Sequence, residues 1–383
     1  MPFVVRRCQA AAPRVLSLAL ALGAAACHVA DDTISLPTSG FPLQAGMRHL
    51  TFSSGVDLTP LWSQDGTMLS YVAQSLPPAA LGQWLRWNIP AEGGIATEEQ
   101  RAYRPPAATE PLPIVRAPSG PLAALAFLRT AANNCGCGND PWPTVKAINV
   151  AVIDLAVAPQ PFDALPKIEI ALPGYQVADT FGAARIPLFR LNFTPAFARR
   201  RDDLSAVFGP TWSPDGTRLA VSDGDQLWIW TVASGALDSV PGVRDAAFPR
   251  WSPDGTMLAF TRYPQDSVEA RICFVPADGS FACFADHRTT VRTSPEVWVV
   301  APDGTGLTMV GPGEESAWLP SSSALLVSRG TGLVVIDLAT GAEQAIANTT
   351  GAREPSVAPD GRRAAFVARF SGNQDLWTVE LSP

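Results

Sequence analysis

Histidine is nearly missing from this chain: three among 383 residues, at positions 28, 49 and 287. No two have the spacing of a metal-binding pair, so a zinc-type hydrolase or lyase is not expected, nor is any metal or other cofactor. Charge is also scarce, at 16% of residues, with a formal net charge of −7. A chain without a basic excess does not build the phosphate-binding face that nucleic acid requires. Nowhere does Gly-x-Ser-x-Gly occur, so the nucleophile elbow of serine hydrolases is absent as well.

Long apolar runs are lacking too. The longest near the start, residues 15–26, is about a dozen residues, too short to span a bilayer. It follows Arg6, Arg7 and Arg14 with no acidic residue, and it ends in small residues before Cys27. This is the layout of an export signal over residues 1–26. A signal that closes on cysteine resembles a bacterial lipoprotein signal, which implies lipidation of Cys27. Residues 27–46 then read as a tether, and the protein as exported and held in the envelope by its lipid anchor. Losing three arginines takes the net charge from −7 to −10.

Of six cysteines, Cys8 falls inside the signal and Cys27 ends it. Cys273 and Cys283 flank Pro276-Ala-Asp-Gly-Ser280, a turn between two apolar stretches. On a hairpin they would face each other, so a disulfide is expected in an oxidising compartment. Cys135-Gly-Cys137 reads as a strained or redox-labile pair in preference to half a metal site, and the spacing leaves its state open.

What the chain does have is 36 prolines, 30 glycines and a repeated phrase. Thr211-Trp-Ser-Pro-Asp-Gly-Thr217 returns as Arg250-Trp-Ser-Pro-Asp-Gly-Thr256. Variants are Leu61-Trp-Ser-Gln-Asp-Gly-Thr67 and Val357-Ala-Pro-Asp-Gly361. Pro presets the turn, Asp bonds its own backbone and Gly accepts positive φ. Each phrase leads into an apolar strand such as Leu219-Ala-Val221 or Leu258-Ala-Phe260, and Gln226-Leu-Trp-Ile-Trp-Thr-Val232 supplies the next. Weaker copies at Pro118 and Pro320 bring the number of turns to six. The shortest spacings, 214 to 253 and 320 to 359, are each 39 residues. The expectation is an all-β, six-bladed propeller of four-stranded antiparallel blades over residues 47–383. Counting the insertion after Tyr263 as a blade would make seven. The last blade stops at its third strand, Asp375-Leu-Trp-Thr-Val-Glu-Leu381. The orphan strand Arg48-His-Leu-Thr-Phe52 is expected to complete it and close the ring.

The Trp-Ser-Pro-Asp-Gly-x-x-Leu-Ala-Phe pattern resembles the WD40-like (PD40) repeat of TolB-type propellers, over nearly all of the mature chain. The resemblance implies a propeller used as a protein- or peptide-binding module or scaffold, monomeric, with an envelope protein as partner. The α/β domain that precedes the TolB propeller has no counterpart between Cys27 and the first strand. The expectation drawn here is a non-enzyme. The alternative is a carbohydrate-active or other enzyme using the central channel, which a buried carboxylate pair would favour.

The repeated aspartates read as turn-formers. Binding is expected where the repeat breaks, in the insertions at residues 74–82, 130–145, 173–206 and 263–295. All four are B–C or D–A connections and so share one face. That face would carry Trp142, Tyr263 and the cluster Arg199, Arg200 and Arg201.

Overall fold

In a computed structural model of the chain, the described residues are 46–52, 56–74, 85–98, 109–111, 115–131, 144–157, 164–171, 209–263, 265–274, 282–291 and 294–381. They form six antiparallel blades, named here 1 to 6, with strands A to D from the innermost outward. Blade 1 is Val56–Trp62, Met68–Gln74, Leu85–Pro90 and Thr97–Glu98. In blade 2 strand A comes in two pieces, Thr109–Pro111 and Val115–Arg116, followed by Leu122–Ala131, Thr144–Asp154 and Lys167–Ala171. Blade 3 is Thr211–Trp212, Arg218–Ser222, Leu227–Thr231 and Ala236–Ser239. Blade 4 is Ala246–Trp251, Leu258–Arg262, Glu296–Val300 and Thr308–Pro312. Blade 5 is Glu315–Trp318, Ala324–Arg329, Gly332–Asp337 and Glu343–Ile346.

Blade 6 contributes Arg353–Val357, Arg363–Ala368 and Asp375–Glu380, and its fourth strand is Met47–His49. Met47 lies opposite Val379, and His49 opposite Trp377. The ring is therefore closed by an N-terminal strand. The insertion in blade 4 forms a separate two-stranded sheet, Gln265–Phe274 with Ala282–Val291, which rules out a seventh blade.

The phrase works as a joint between blades. In blades 1, 3 and 5 its tryptophan packs at the interface and the indole N–H donates to the preceding blade's strand A, whereas the buried Trp251 indole of blade 4 makes no such bond. Trp62 reaches the Ser356 carbonyl at 2.9 Å, Trp212 that of Val115 at 2.8 Å, and Trp318 that of Arg250 at 3.0 Å. Its glycine sits at positive φ, and a Cβ there would touch the preceding blade's proline: Gly255 faces Pro214 Cδ at 3.5 Å, and Gly361 faces Pro320 Cδ at 3.3 Å. Arg218 lies over the Trp251 ring, and Arg363 over Trp62, each again one blade away.

A second joint lies deeper. Strand A is bulged in blades 1, 4 and 6, where Thr59, Phe248 and Glu354 take φ of 50°, 55° and 52°. Each precedes a proline, which has no N–H to lose from the ladder. The bulge turns the backbone sideways. The Glu354 N–H donates to the Glu315 carboxylate, and the Thr59 N–H donates to the Glu354 carboxylate at 2.5 Å. Blades 5, 6 and 1 are thus linked in series across the seam where the two ends of the chain meet.

Candidate binding face

Strand direction assigns the two faces. A–B and C–D turns, with every copy of the phrase, lie on one face, here the turn face. B–C and D–A connections lie on the other, the loop face. Strands B and C of blade 2 are ten and eleven residues long and stay paired out to Ala131 and Thr144. The paired hairpin of blade 4 adds ten residue pairs at the same end. Two of the four expected insertions therefore extend the loop face as β-hairpins.

Between blades 3 and 4 this face carries a charged cluster. The blade 3 B–C turn supplies Asp223 and Asp225, the D–A connection Arg244 and Asp245, and the end of strand B in blade 4 supplies Arg262. Asp223 is fully employed: its carboxylate accepts from the N–H groups of Asp225 and Gln226 and from the Trp228 indole. Asp225 accepts from Arg244 at 3.2 Å and from the Asp245 N–H at 3.2 Å. Arg262 lies over the Trp298 ring, with its Nε 4.0 Å from the Asp245 carboxylate, beyond hydrogen-bond reach.

Asp245 has a left-handed backbone, φ 54°. Its carboxyl is pushed above the ordinary range, first by burial and then by the neighbouring charge of Asp225; Arg262 and Arg244 oppose the shift. A left-handed non-glycine backbone and a perturbed carboxyl coincide at Asp245, which makes this cluster the candidate site on the loop face. The turn-face aspartates differ. Asp65, Asp215 and Asp254 are held low, first by the neighbouring serine hydroxyl and then by backbone N–H groups, with Asp65 at about 2. These are turn-stabilising carboxylates, as the phrase implies.

Of the residues expected on the binding face, Trp142, Arg199, Arg200 and Arg201 lie outside the described residues. So do Cys27, Cys135 and Cys137. Tyr263 is placed, and it corrects the expectation: it is 1% exposed, packed near Phe248 in the core shared by blades 2, 3 and 4. It directly follows strand B and is held against strand A, its N–H donating to the Asp245 carbonyl at 3.0 Å. Cys273 and Cys283 stand directly opposite each other in the hairpin register.

Asp225, Asp245 and Arg262 were missed by sequence reasoning. Their signal is faint: two acids around a Gly in a B–C turn, and an Arg-Asp pair just before a strand. Glu315 and Glu354 were missed as well, although the recurring proline two residues before the phrase tryptophan (Pro60, Pro210, Pro249) marks the same strand position. Among the described residues no group of three or more His, Cys, Asp or Glu side chains is placed to hold a metal.

Ring, blades and joints define the class: a closed six-bladed β-propeller. No family model matches the chain, and no curated protein does. Solved structures match at the level of fold. An oligogalacturonate lyase in complex with manganese is 11% identical, with a TM-score of 0.49 over 89% of this chain and 95% of that one. The WD40 repeats of RRP9 are 10% identical, TM-score 0.45, over 89% and 98%. A candidate TolB from Agrobacterium tumefaciens is 19% identical, TM-score 0.33, over 45% and 57%. At such identities the likeness shows the fold alone. It also corrects the expectation of a non-enzyme, because the lyase, itself an enzyme, has a propeller fold similar to this one.

Proposed function

We propose that this chain is an exported, lipid-anchored propeller of the bacterial envelope whose loop face binds a protein or peptide partner. The observation that supports it is the lengthening of that face by the hairpins of blades 2 and 4, beside the strained cluster of Asp225, Asp245 and Arg262. Long connections on a rigid scaffold are where recognition resides. Cys27 supplies the anchor, a Cys273–Cys283 disulfide staples the blade 4 hairpin, and Arg199, Arg200 and Arg201 offer charge to an acidic partner. Crosslinking the lipidated full chain in the envelope tests the reading, with Cys27→Ala as the anchor control. A defined protein should be enriched, and replacing Arg199, Arg200 and Arg201 by Ser should reduce it several-fold. Equal recovery with the Ser form would reject the arginine contact, and recovery of glycan alone would reject the protein-partner reading.

A second reading, a carbohydrate-active enzyme working through the central channel, is favoured by one observation. Glu315 and Glu354 are buried carboxylates on neighbouring innermost strands. Release of product from a glycan panel, lost in Glu354→Gln while the fold persists, would establish it. No turnover by the native chain on that panel would reject it.

A further inference from the structure

We infer that the blade 4 hairpin is a dimerisation element: the outer edge of its first strand pairs, antiparallel, with the same edge of a second copy of this chain. Such pairing needs neither the lipid anchor nor the loop-face partner, and it departs from the monomer that the repeat resemblance implies. Gln265–Phe274 and Ala282–Val291 are each ten residues long and pair without a register shift. Among the described residues neither strand pairs with any other. A two-stranded ribbon left to itself is marginally stable in water and gains from a further strand. Edge length makes the same point. The outermost strands of the six blades are only two to five residues long, which is one way a sheet protein blunts its edges. The hairpin leaves ten-residue edges, and neither of its strands holds a proline or a lysine to block pairing.

The order of residues in the first strand selects a second copy as the partner. Val268-Glu269-Ala270-Arg271-Ile272 runs apolar, acid, small, base, apolar. Two copies paired antiparallel about Ala270 set Glu269 opposite Arg271 twice, and Val268 opposite Ile272 twice. That is the reciprocal contact of a two-fold interface, with opposite charges at opposed positions. Shifting the centre by one residue sets Glu269 against Glu269 or Arg271 against Arg271, and like charges directly opposite are destabilising. One register is therefore preferred over its neighbours. Strand alternation agrees: Val268, Ala270 and Ile272 share one face of the ribbon, and Phe284 holds the position opposite Ile272. Pairing about Ala270 continues this apolar set across the two-fold in a four-stranded sheet. The second strand matches itself less well. Centred on His287 it sets Asp286 opposite Arg288, but it also opposes Phe284 to Thr290 and His287 to itself.

Sedimentation equilibrium of the full chain, in detergent matched to the solvent density, reads the association. A reversible monomer–dimer equilibrium is expected, with nothing larger, because one partner uses up the shared edge. Glu269→Arg sets like charges opposite each other at both symmetric positions and should weaken the dimer about ten-fold. Adding Arg271→Glu to it restores opposite charges and should recover the affinity to within about three-fold. Ala270→Cys leaves the charges alone, and mild oxidation should join two copies through position 270, read from the mass of the linked peptide. A chain that stays monomeric at every concentration, or that grows into open-ended assemblies, overturns the proposal. So does a dimer that Glu269→Arg leaves unchanged. A doubly reversed form no tighter than the single one, together with no link at position 270, overturns the register and with it the choice of this edge.

Discussion

Ser252 holds its turn from both sides. Its hydroxyl donates to Asp254 at 2.6 Å and accepts the Met257 N–H at 2.9 Å. Ser63 and Ser213 do the same for Asp65 and Asp215. Blade 6 has Ala358 in this place, so Asp360 keeps only the Arg362 N–H. Carboxylates whose folded pKa is lowered add stability that is complete above the unfolded value, near pH 4, and lost as pH falls toward the folded one. Denaturant midpoints should therefore fall between about pH 4 and about 2, and less steeply in Asp65→Asn. Identical slopes in the two proteins would show that the turn bonds add nothing to folding. Asp245 has the opposite sign. Its pKa is raised, so ionising it costs the folded state, a cost absent below the unfolded value and complete above the raised one. Asp245→Asn should gain stability at pH 7 relative to pH 3, measured by the same titration; a loss at pH 7 would mean that Arg262 outweighs burial. Trp212→Phe keeps the packing but strands the Val115 carbonyl, and should cost about 1 kcal/mol in chemical unfolding.

A three-residue strand closes the ring, and it is better fastened than its length implies. His49 is buried, stacks on Trp377 at 3.9 Å and bonds Asp375 at 2.9 Å. Leu50 and Thr51 continue the attachment through the Leu376 carbonyl and N–H. Deleting residues 47–53 removes this set and exposes the edge of Asp375–Glu380, so the thermal midpoint should drop by about 4 °C, which is on the order of 3 kcal/mol for a domain of about 340 residues. An unchanged midpoint would reject closure as a source of stability. The blade 4 hairpin is the contrasting element, since it shares no ladder with its blade. Alkylation of protein from an oxidising compartment should find Cys273 and Cys283 unreactive until reduced. Cys273→Ser should raise protease cutting within residues 275–281 and barely move the unfolding midpoint. Free thiols at both positions would reject the staple.

Blade count, closing strand and the role of the phrase as turn were legible in the sequence because each rests on a local signal: a Pro-Asp-Gly turn, an orphan strand, a truncated last blade. Residue-level function was not, because it depends on juxtapositions between blades that no spacing encodes. Tyr263 shows the limit: its place in an insertion suggested exposure, whereas it packs near Phe248 in the core of blades 2, 3 and 4. Glu354 shows it from the other side, since an acid before a proline reads as a loop residue until the bulge turns its N–H toward Glu315. That link gives the whole ring a testable property. Two devices hold the seam between blades 6 and 1: the closing strand on the outside and the series Glu315, Glu354 and Thr59 on the inside. Glu354→Ala should cost about 1–3 kcal/mol by leaving the Thr59 N–H without its acceptor, and Glu354→Gln less. If both devices act on one opening event, removing the closing strand has already released the seam, and Glu354→Ala should cost much less in that background. Denaturant unfolding of the four proteins measures the coupling. Costs that add within error would mean that the blades part independently, and the seam would not be a single cooperative joint.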